Sequence, residues 1–590
     1  MSDEAASTTP SSPQSAPAPA PGNPRTGPCS AGHLIVRQLE RHGVDRIYCV
    51  PGESYLDVLD GLHDSPIRTV VCRQEGGAGY MAVAEGRLTG RPGIAMVTRG
   101  PGASNVMIAV HNAYQDATPL VVFVGLIPTE VRGREAFQEF DLGGWFGSTA
   151  KKVLVLDDPA SAARIVADAM HTAVSGRPGP VIVGLPEETQ LARTDGATVP
   201  PRPVAEPGPA AADLELLDSA IARAQRPVLV TGGEMWDAET SAAVAAWAAG
   251  RGVGIFADFR AYDGIDHAHP HYLGALGIGS APVSREAFAA ADLQIFLGCA
   301  RTDIMTNSYE LGCDPETTIV INRDPTTHGH FGPLDHLVVS TTRAFGAAVA
   351  GLEPVVAETP GWVTEVREAF LDWREPRPPA DAAGGAGNSR NTGNSDAAGA
   401  SGGAGGAPEY VDMDLAFAAI REQLPDDAII AYGAGNHTGW AARFLPVHGF
   451  PSVLGPRNGS MGFGVPAAVA AALVHPERTV FSIAGDGCFM MNGQEFSTAV
   501  NEGADLTIVI NDNSRYGTIV AHQEREYPGR PSGTNLGNPD FGAWARSFGG
   551  FGVQVTRTED FAAAFAQALA HPGPAIVHAL TDPDIRTSRP

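Results

Sequence analysis

Short, almost uninterrupted apolar runs recur along the chain, each followed by an Ala-rich stretch long enough for a helix. The runs at 94–98, 120–125, 181–185, 228–231, 293–298, 479–484 and 506–510 are dominated by apolar and β-branched residues. A strand with one wet face alternates apolar and polar residues. A strand that is apolar at nearly every position has to be covered on both faces. Strand after strand of this kind, separated by helices, predicts α/β domains with doubly wound parallel sheets. At 590 residues the chain is too long for one core.

Two composition breaks divide it. The stretch 199–209 is Pro-rich, and 376–408 is dominated by Gly, Ala, Asn and Ser and reads as a flexible linker. Three α/β blocks result, at 28–195, 210–357 and 409–585. Before them, residues 1–27 are rich in Ser, Ala and Pro and read as a disordered tail. That tail has no basic stretch leading into an apolar core, so it does not read as a secretory signal. No apolar run reaches the ~18 residues of a membrane span.

Lys plus Arg number 40 and Asp plus Glu 66, a net charge of −26. That balance argues against nucleic acid and anionic membranes as partners. Six cysteines, at 29, 49, 72, 299, 313 and 488, show no C-x-x-C spacing. Neither a zinc site nor a disulfide scaffold is expected, and a reducing cytoplasm fits.

The sharpest local signal is Gly485-Asp486-Gly487 after one apolar run and Asn511-Asp512-Asn513 after the next. Both fall at carboxyl ends of strands, where α/β sheets bind ligands. Asp486 offers a hard carboxylate oxygen, Asn513 an amide oxygen, and the backbone carbonyl of Arg515 a third donor. Mg²⁺ takes oxygen ligands and completes its shell with phosphate oxygens and water. The glycines allow the main chain to approach a diphosphate closely. A bare Gly-Asp-Gly is an ordinary turn. The pairing of both elements at this separation is far more specific.

Together these elements resemble the thiamine diphosphate motif, with Asp512 where the family usually has a first Asn. Arg73-Gln74-Glu75-Gly76-Gly77 resembles the same family's activating-glutamate segment, which would set Glu75 against N1′ of the cofactor's pyrimidine. Gly459-Ser460-Met461-Gly462-Phe463-Gly464 resembles the segment that bends the cofactor, Met461 as the apolar wedge and the Gly459 carbonyl as acceptor. The family pattern further assigns cofactor contacts to Asn436, His437, Gly485, Gly487, Cys488, Tyr516 and Gly517. Thr98 to Asn105 resembles its S-G-P-G-A-T-N turn. Ala136-Phe137-Gln138-Glu139 matches a segment that acetolactate synthases place near the substrate, implicating Phe137 and Gln138. Lys151 also falls in the pattern. The resemblance to the acetolactate synthase catalytic subunit spans about 30–585. It implies pyrimidine, central and diphosphate domains, a homodimer or homotetramer, 2-keto acid substrates and a place in branched-chain amino acid biosynthesis.

There are departures. Leu126 replaces a Gln, and His522 a Trp that helps choose the acceptor. Glu53 stands where pyruvate decarboxylase-like enzymes carry an acid that moves protons. In the central block, Gly232, Gly233 and Arg301 resemble the flavin-binding pattern, whereas Gly279-Ser280 and Asn322-Arg323-Asp324 depart from it, which puts FAD in doubt. The expectation is decarboxylation with carboligation. A non-ligating 2-keto acid decarboxylase is the alternative, and a silent cofactor-binding partner subunit a third reading. The intact Glu75, Asp486 and Asn513 argue against that third reading.

Overall fold

The computed structural model describes residues 27–233, 235–299, 301–311, 318–326, 336–377 and 409–589. The expected tail up to residue 26, residues 378–408 of the expected linker, and Cys313 lie outside them. The described residues form three six-stranded sheets, parallel throughout. The α/β expectation is met, and the cause is visible in the central strands. Leu120–Leu126 and Thr507–Asp512 are buried at every position, so each apolar residue has a helix to meet on either face.

Across the first sheet the strands run Arg68–Val71, Arg46–Cys49, Gly93–Val97, Leu120–Leu126, Pro180–Pro186, Lys152–Val155. The third repeats that order with Val453–Leu454, Ile429–Tyr432, Val480–Gly485, Thr507–Asp512, Ala575–Leu580 and Phe551–Val555. In both, the chain reverses direction across the sheet between the second and third strands of the row. The middle sheet runs Tyr272–Ala275, Gly254–Ala257, Pro227–Thr231, Leu293–Leu297, Thr318–Asn322, His336–Val339. That is the 3-2-1-4-5-6 order of dinucleotide-binding sheets. A short antiparallel pair, Cys29–Ser30 with Arg193–Thr194, ties the start of the first domain to its end. Cys29, Cys49, Cys72, Cys299 and Cys488 are buried thiols, not disulfides.

The first and third domains share a core. Helix Glu75–Thr89, rich in Gly and Ala, is buried on nearly all sides between helices Pro101–Asp116 and Gly464–Val474. Small residues make this possible: a Cβ on Gly79 would lie 2.5 Å from that of Ala109. Tyr80 and Phe463 pack edge to face at 5.3 Å between centroids. Beside this contact the Glu495 side chain, wholly buried, reaches from the third domain into the first. Its carboxylate accepts the backbone N–H groups of Arg73 (3.1 Å) and Gln74 (3.0 Å) and the Thr498 hydroxyl (2.6 Å). It thereby fixes the turn from which Glu75 emerges.

Glu495→Ala strands these N–H groups, and a buried donor left unpaired costs about 1–3 kcal/mol. Denaturant unfolding of the variant is expected to show a loss of that size, and Glu495→Gln a smaller one. Wild-type stability in Glu495→Ala would show that the clamp contributes nothing.

Candidate functional site

Open α/β sheets bind ligands beyond the carboxyl ends of their strands, where the chain order reverses. In the third domain that point lies between Ile429–Tyr432 and Val480–Gly485. A cavity of about 230 Å³ opens there. Asn436 and His437 enter from beyond the first of these strands, and Gly485, Asp486, Gly487 and Cys488 from beyond the second. Asn513, Arg515, Tyr516 and Gly517 follow the next strand, and Gly459 and Met461 close another wall. The twelve residues read from the sequence for this part of the site thus line one space.

Its details suit a diphosphate with a hard cation. Gly459 has φ +73° and open space where a Cβ would stand. Gly487 is required because a Cβ there would lie 2.5 Å from the Tyr516 ring. His437 is buried, and burial, helped by Arg260, pushes its pKa down to about 3. The ring is therefore neutral, and its Nε2 is buried without a hydrogen-bond partner in the chain. A phosphate oxygen would satisfy that nitrogen. Asp486 is the one carboxylate among the described lining residues. Burial, with the nearby Asp512 adding to it, raises its pKa to about 7. A divalent cation would reverse that shift. Asn513 Oδ1 accepts the Arg515 N–H at 3.1 Å, and the Thr518 hydroxyl donates to Asn436 Oδ1 at 2.8 Å. The donor set of carboxylate, amide and backbone carbonyl therefore fits Mg²⁺.

The other predicted residues gather at the matching edge of the first sheet. Glu75 begins its helix, and Asn105 Nδ2 donates to its Oε2 at 2.8 Å. The turn Thr98–Gly102 lies against it: a Cβ on Gly102 would be 3.3 Å from Glu75 Oε1. Arg99, nearly buried, binds Glu53 at 2.5 Å and also Glu187. Thr98 and Ser54 share a hydroxyl hydrogen bond of 2.8 Å. Gln138, at φ +64°, packs its backbone on Gly100, and Phe137 is 74% exposed. The cavity's described lining comes wholly from the third domain, and Glu75 is not among it.

Three further residues singled out in the sequence are not in the cavity's described lining. Leu126 is buried at the end of its strand, and a Cβ on Gly184 would meet both it and Leu142 at 2.7 Å. His522 is exposed on helix Gly517–Glu526, its Nδ1 accepting from Arg525 at 2.9 Å. Lys151 donates to the Thr172 and Ser175 carbonyls at 2.5 and 2.6 Å, closing the end of helix Ala162–Val174. Burial, then Arg323, bring its pKa down to about 8. In the middle domain Arg301 and Gly279 line a cleft of about 1210 Å³ that adjoins the diphosphate cavity. Arg323 is not among that cleft's lining residues and donates instead to the Val174 carbonyl at 3.1 Å.

Sequence comparison bears directly on this geometry. Three family profiles match: the thiamine pyrophosphate enzyme N-terminal TPP binding domain at 29–144, the central domain at 215–348 and the C-terminal TPP binding domain at 433–579. The acetolactate synthase isozyme 1 large subunit of Escherichia coli is 30% identical over 560 residues, 94% of each chain. The chain belongs to the thiamine diphosphate-dependent enzymes of the acetolactate synthase large-subunit family. The isozyme 2 large subunit of the same organism is 29% identical over 93% of this chain and 95% of its own. The Corynebacterium glutamicum large subunit is 29% identical over 90% and 84%. In this thiamine diphosphate enzyme the first and third domains are thus the two cofactor-binding units, and their similar sheets present similar edges.

Three polar residues escaped the sequence reading, Glu495, Asn538 and His578, and Arg99 entered it only as part of the Thr98–Asn105 turn. Only His578 carried a signal, as a polar residue within the apolar run Ala575–Leu580.

Asp486→Ala removes the cavity's carboxylate. Titration calorimetry with thiamine diphosphate and Mg²⁺ is expected to show at least about 100-fold weaker binding, beyond what loss of an outer-shell partner costs. Unchanged affinity would remove Asp486 from the site.

Proposed function

We propose that this enzyme joins the fragment left by decarboxylation of a 2-keto acid to a second carbonyl compound, working as a homodimer or a tetramer built from dimers. Asp486, Asn513 and the Arg515 carbonyl would hold Mg²⁺ against the diphosphate, and neutral His437 would donate Nε2–H to a phosphate oxygen. Met461 and Gly459 would face the body of the cofactor. Glu75, its rotamer fixed by Asn105, would share a proton with the pyrimidine N1′ through its second oxygen. When bound, thiamine diphosphate supplies the carbanion-stabilising centre for loss of CO₂.

The observation that favours ligation over simple decarboxylation is the Arg99–Glu53 pair. A decarboxylase that releases aldehyde must deliver a proton to the new carbon. Glu53 is the acid expected for that task, and its carboxylate is committed to Arg99. Gln138 and exposed Phe137 lie at the same edge as Glu75, placed to meet the substrate. A panel of 2-keto acids with product identification tests this reading. Ligated hydroxyketones or hydroxyketo acids are expected, and free aldehyde as the main product would favour the decarboxylase.

Dimerisation follows from the divided site. Glu75 and its neighbours stand on an edge with exposed Phe137 and Ile108, and the diphosphate domain exposes Met490, Met491 and Ile519. A second copy would cover both. Mixed Glu75→Gln and Asp486→Ala chains would then regenerate one intact site per mixed dimer, about one quarter of wild-type activity after random exchange. No recovery would contradict a site shared between chains.

A nucleotide in the central cleft is a second feature of this reading, and FAD is the group the resemblance implies. The cleft lies where the 3-2-1-4-5-6 sheet reverses and is lined by Arg177, Arg260, Arg301 and Arg457. Flavin absorbance in the supernatant of heat-denatured protein would settle it.

A further inference from the structure

The Gly-Asp-Gly carboxylate meets the Gly487 backbone of its own turn and is also held from outside it. Asp486 Oδ2 accepts a hydrogen bond of 2.7 Å from Asn538 Nδ2, and the same nitrogen donates to Asp512 Oδ1 at 2.8 Å. One amide group therefore spends both N–H bonds on two buried carboxylates. The opposite amide orientation would turn its oxygen toward both carboxylates, so the assignment of the nitrogen is forced by charge.

The need for such a bridge arises from residue 512. An Asn at this position could itself donate to Asp486. An Asp offers acceptors only, and two carboxylates brought together repel. Asp512 is in turn fixed on its far side. Its Oδ2 accepts from His578 Nε2 at 2.9 Å, and its Oδ1 also accepts the Ser514 N–H at 2.8 Å. His578 Nδ1 faces the Phe541 N–H at 3.2 Å, so that nitrogen accepts and Nε2 carries the proton given to Asp512. Asp512 and His578 are both buried, on adjacent parallel strands.

Asn538 is also held by its own segment. Residues 534–536 pair with the loop that carries Asn513 and Arg515: Tyr516 N–H donates to the Thr534 carbonyl and Leu536 N–H to the Ser514 carbonyl, both at 2.8 Å. Pro539 follows, and Asp540 caps helix Phe541–Ser547. The segment lies along the proposed ligand loop and is anchored at both ends.

We propose that Asn538 is a positioning residue for the metal: it bridges Asp486 to the Asp512–His578 pair and leaves Asp486 Oδ1 free to face the cation. The proposal rests on the reading of Asp486 as a metal ligand. It assigns residue 538, and the Asp at 512, a joint role in metal affinity rather than in folding alone.

The test is Mn²⁺ affinity of the full-length protein with saturating thiamine diphosphate, followed by electron paramagnetic resonance of free Mn²⁺. Asn538→Ala is expected to weaken Mn²⁺ by about 10–100-fold, as loss of an outer-shell partner does. In an Asp512→Asn background, where the amide at 512 donates in place of Asn538, the same substitution is expected to cost under about threefold, because the two sites share a partner. A purely structural residue would give the same loss in both backgrounds. Asn538→Ser keeps one donor and covers the case in which the Ala variant does not fold; an intermediate loss is expected. Wild-type Mn²⁺ affinity in Asn538→Ala or Asn538→Ser, or equal losses in the two backgrounds, would overturn the proposal. Asp486→Ala is the control: if it too binds Mn²⁺ normally, the metal reading itself fails, and the fault does not lie with Asn538.

Discussion

The close contact of helices Glu75–Thr89 and Gly464–Val474 fixes most of what this molecule can do. Two helices approach this closely only where side chains are small, and here Gly and Ala line the contact. The contact makes the first and third domains one packed body. The Glu495 carboxylate then fastens the turn before Glu75 to the third domain. Glu75 is therefore held by a core that spans two domains, not by a surface loop. Catalytic groups supported in this way lose little entropy when a ligand arrives. The diphosphate cavity is lined by third-domain residues, with Glu75 not among them. Completing the cofactor site by a second copy is the arrangement that this rigidity favours.

What could be read from the sequence was what the chain encodes locally. Buried parallel strands announce themselves by continuous apolar runs, and the three sheets followed from them. Gly485-Asp486-Gly487 and Asn513 were legible because the chemistry demands particular residue types at the ends of consecutive strands. Leu126 and His522 were located by position in a motif, which says nothing about side-chain direction. Leu126 ends a strand that is buried on both faces, and it packs beside Leu142. His522 sits on the outer face of its helix. The roles of Arg99, Asn538 and His578 were not legible, because their partners are tens of residues away and meet them only after folding.

Arg99 illustrates how a tertiary partner changes the meaning of a motif residue. Taken from the sequence, Glu53 is an acid at a position where related chemistry uses one. In the fold, strand ends bring Glu53, Arg99 and Glu187 together. An almost buried guanidinium is not left without carboxylates, because the cost of an unpaired buried charge is several kcal/mol. Arg99 has Glu187 as a second, more buried carboxylate, and Glu53 pairs with it from the exposed side. A proton donor would have to break that pair at each turnover.

The net charge of −26 poses a further constraint, since the cofactor is itself an anion. A surface of that sign repels a diphosphate at long range, although salt screens the effect beyond about 10 Å. Attraction must then be generated inside the cavity. The only arginines in its described lining are Arg515 and Arg586, and His437 is held neutral by burial. A buried neutral imidazole donates a hydrogen bond without the desolvation cost of a charge. Asp486 adds a negative group next to where the diphosphate would lie. Anion beside anion is unfavourable unless a cation stands between them, and a divalent metal supplies that charge at a single point. The acidic chain and the buried carboxylate therefore both favour a cation between the diphosphate and Asp486, beside whatever Arg515 and Arg586 contribute. The groups that hold Asp486 in place, Asn538 among them, then bear on such a cation more directly than any surface charge does.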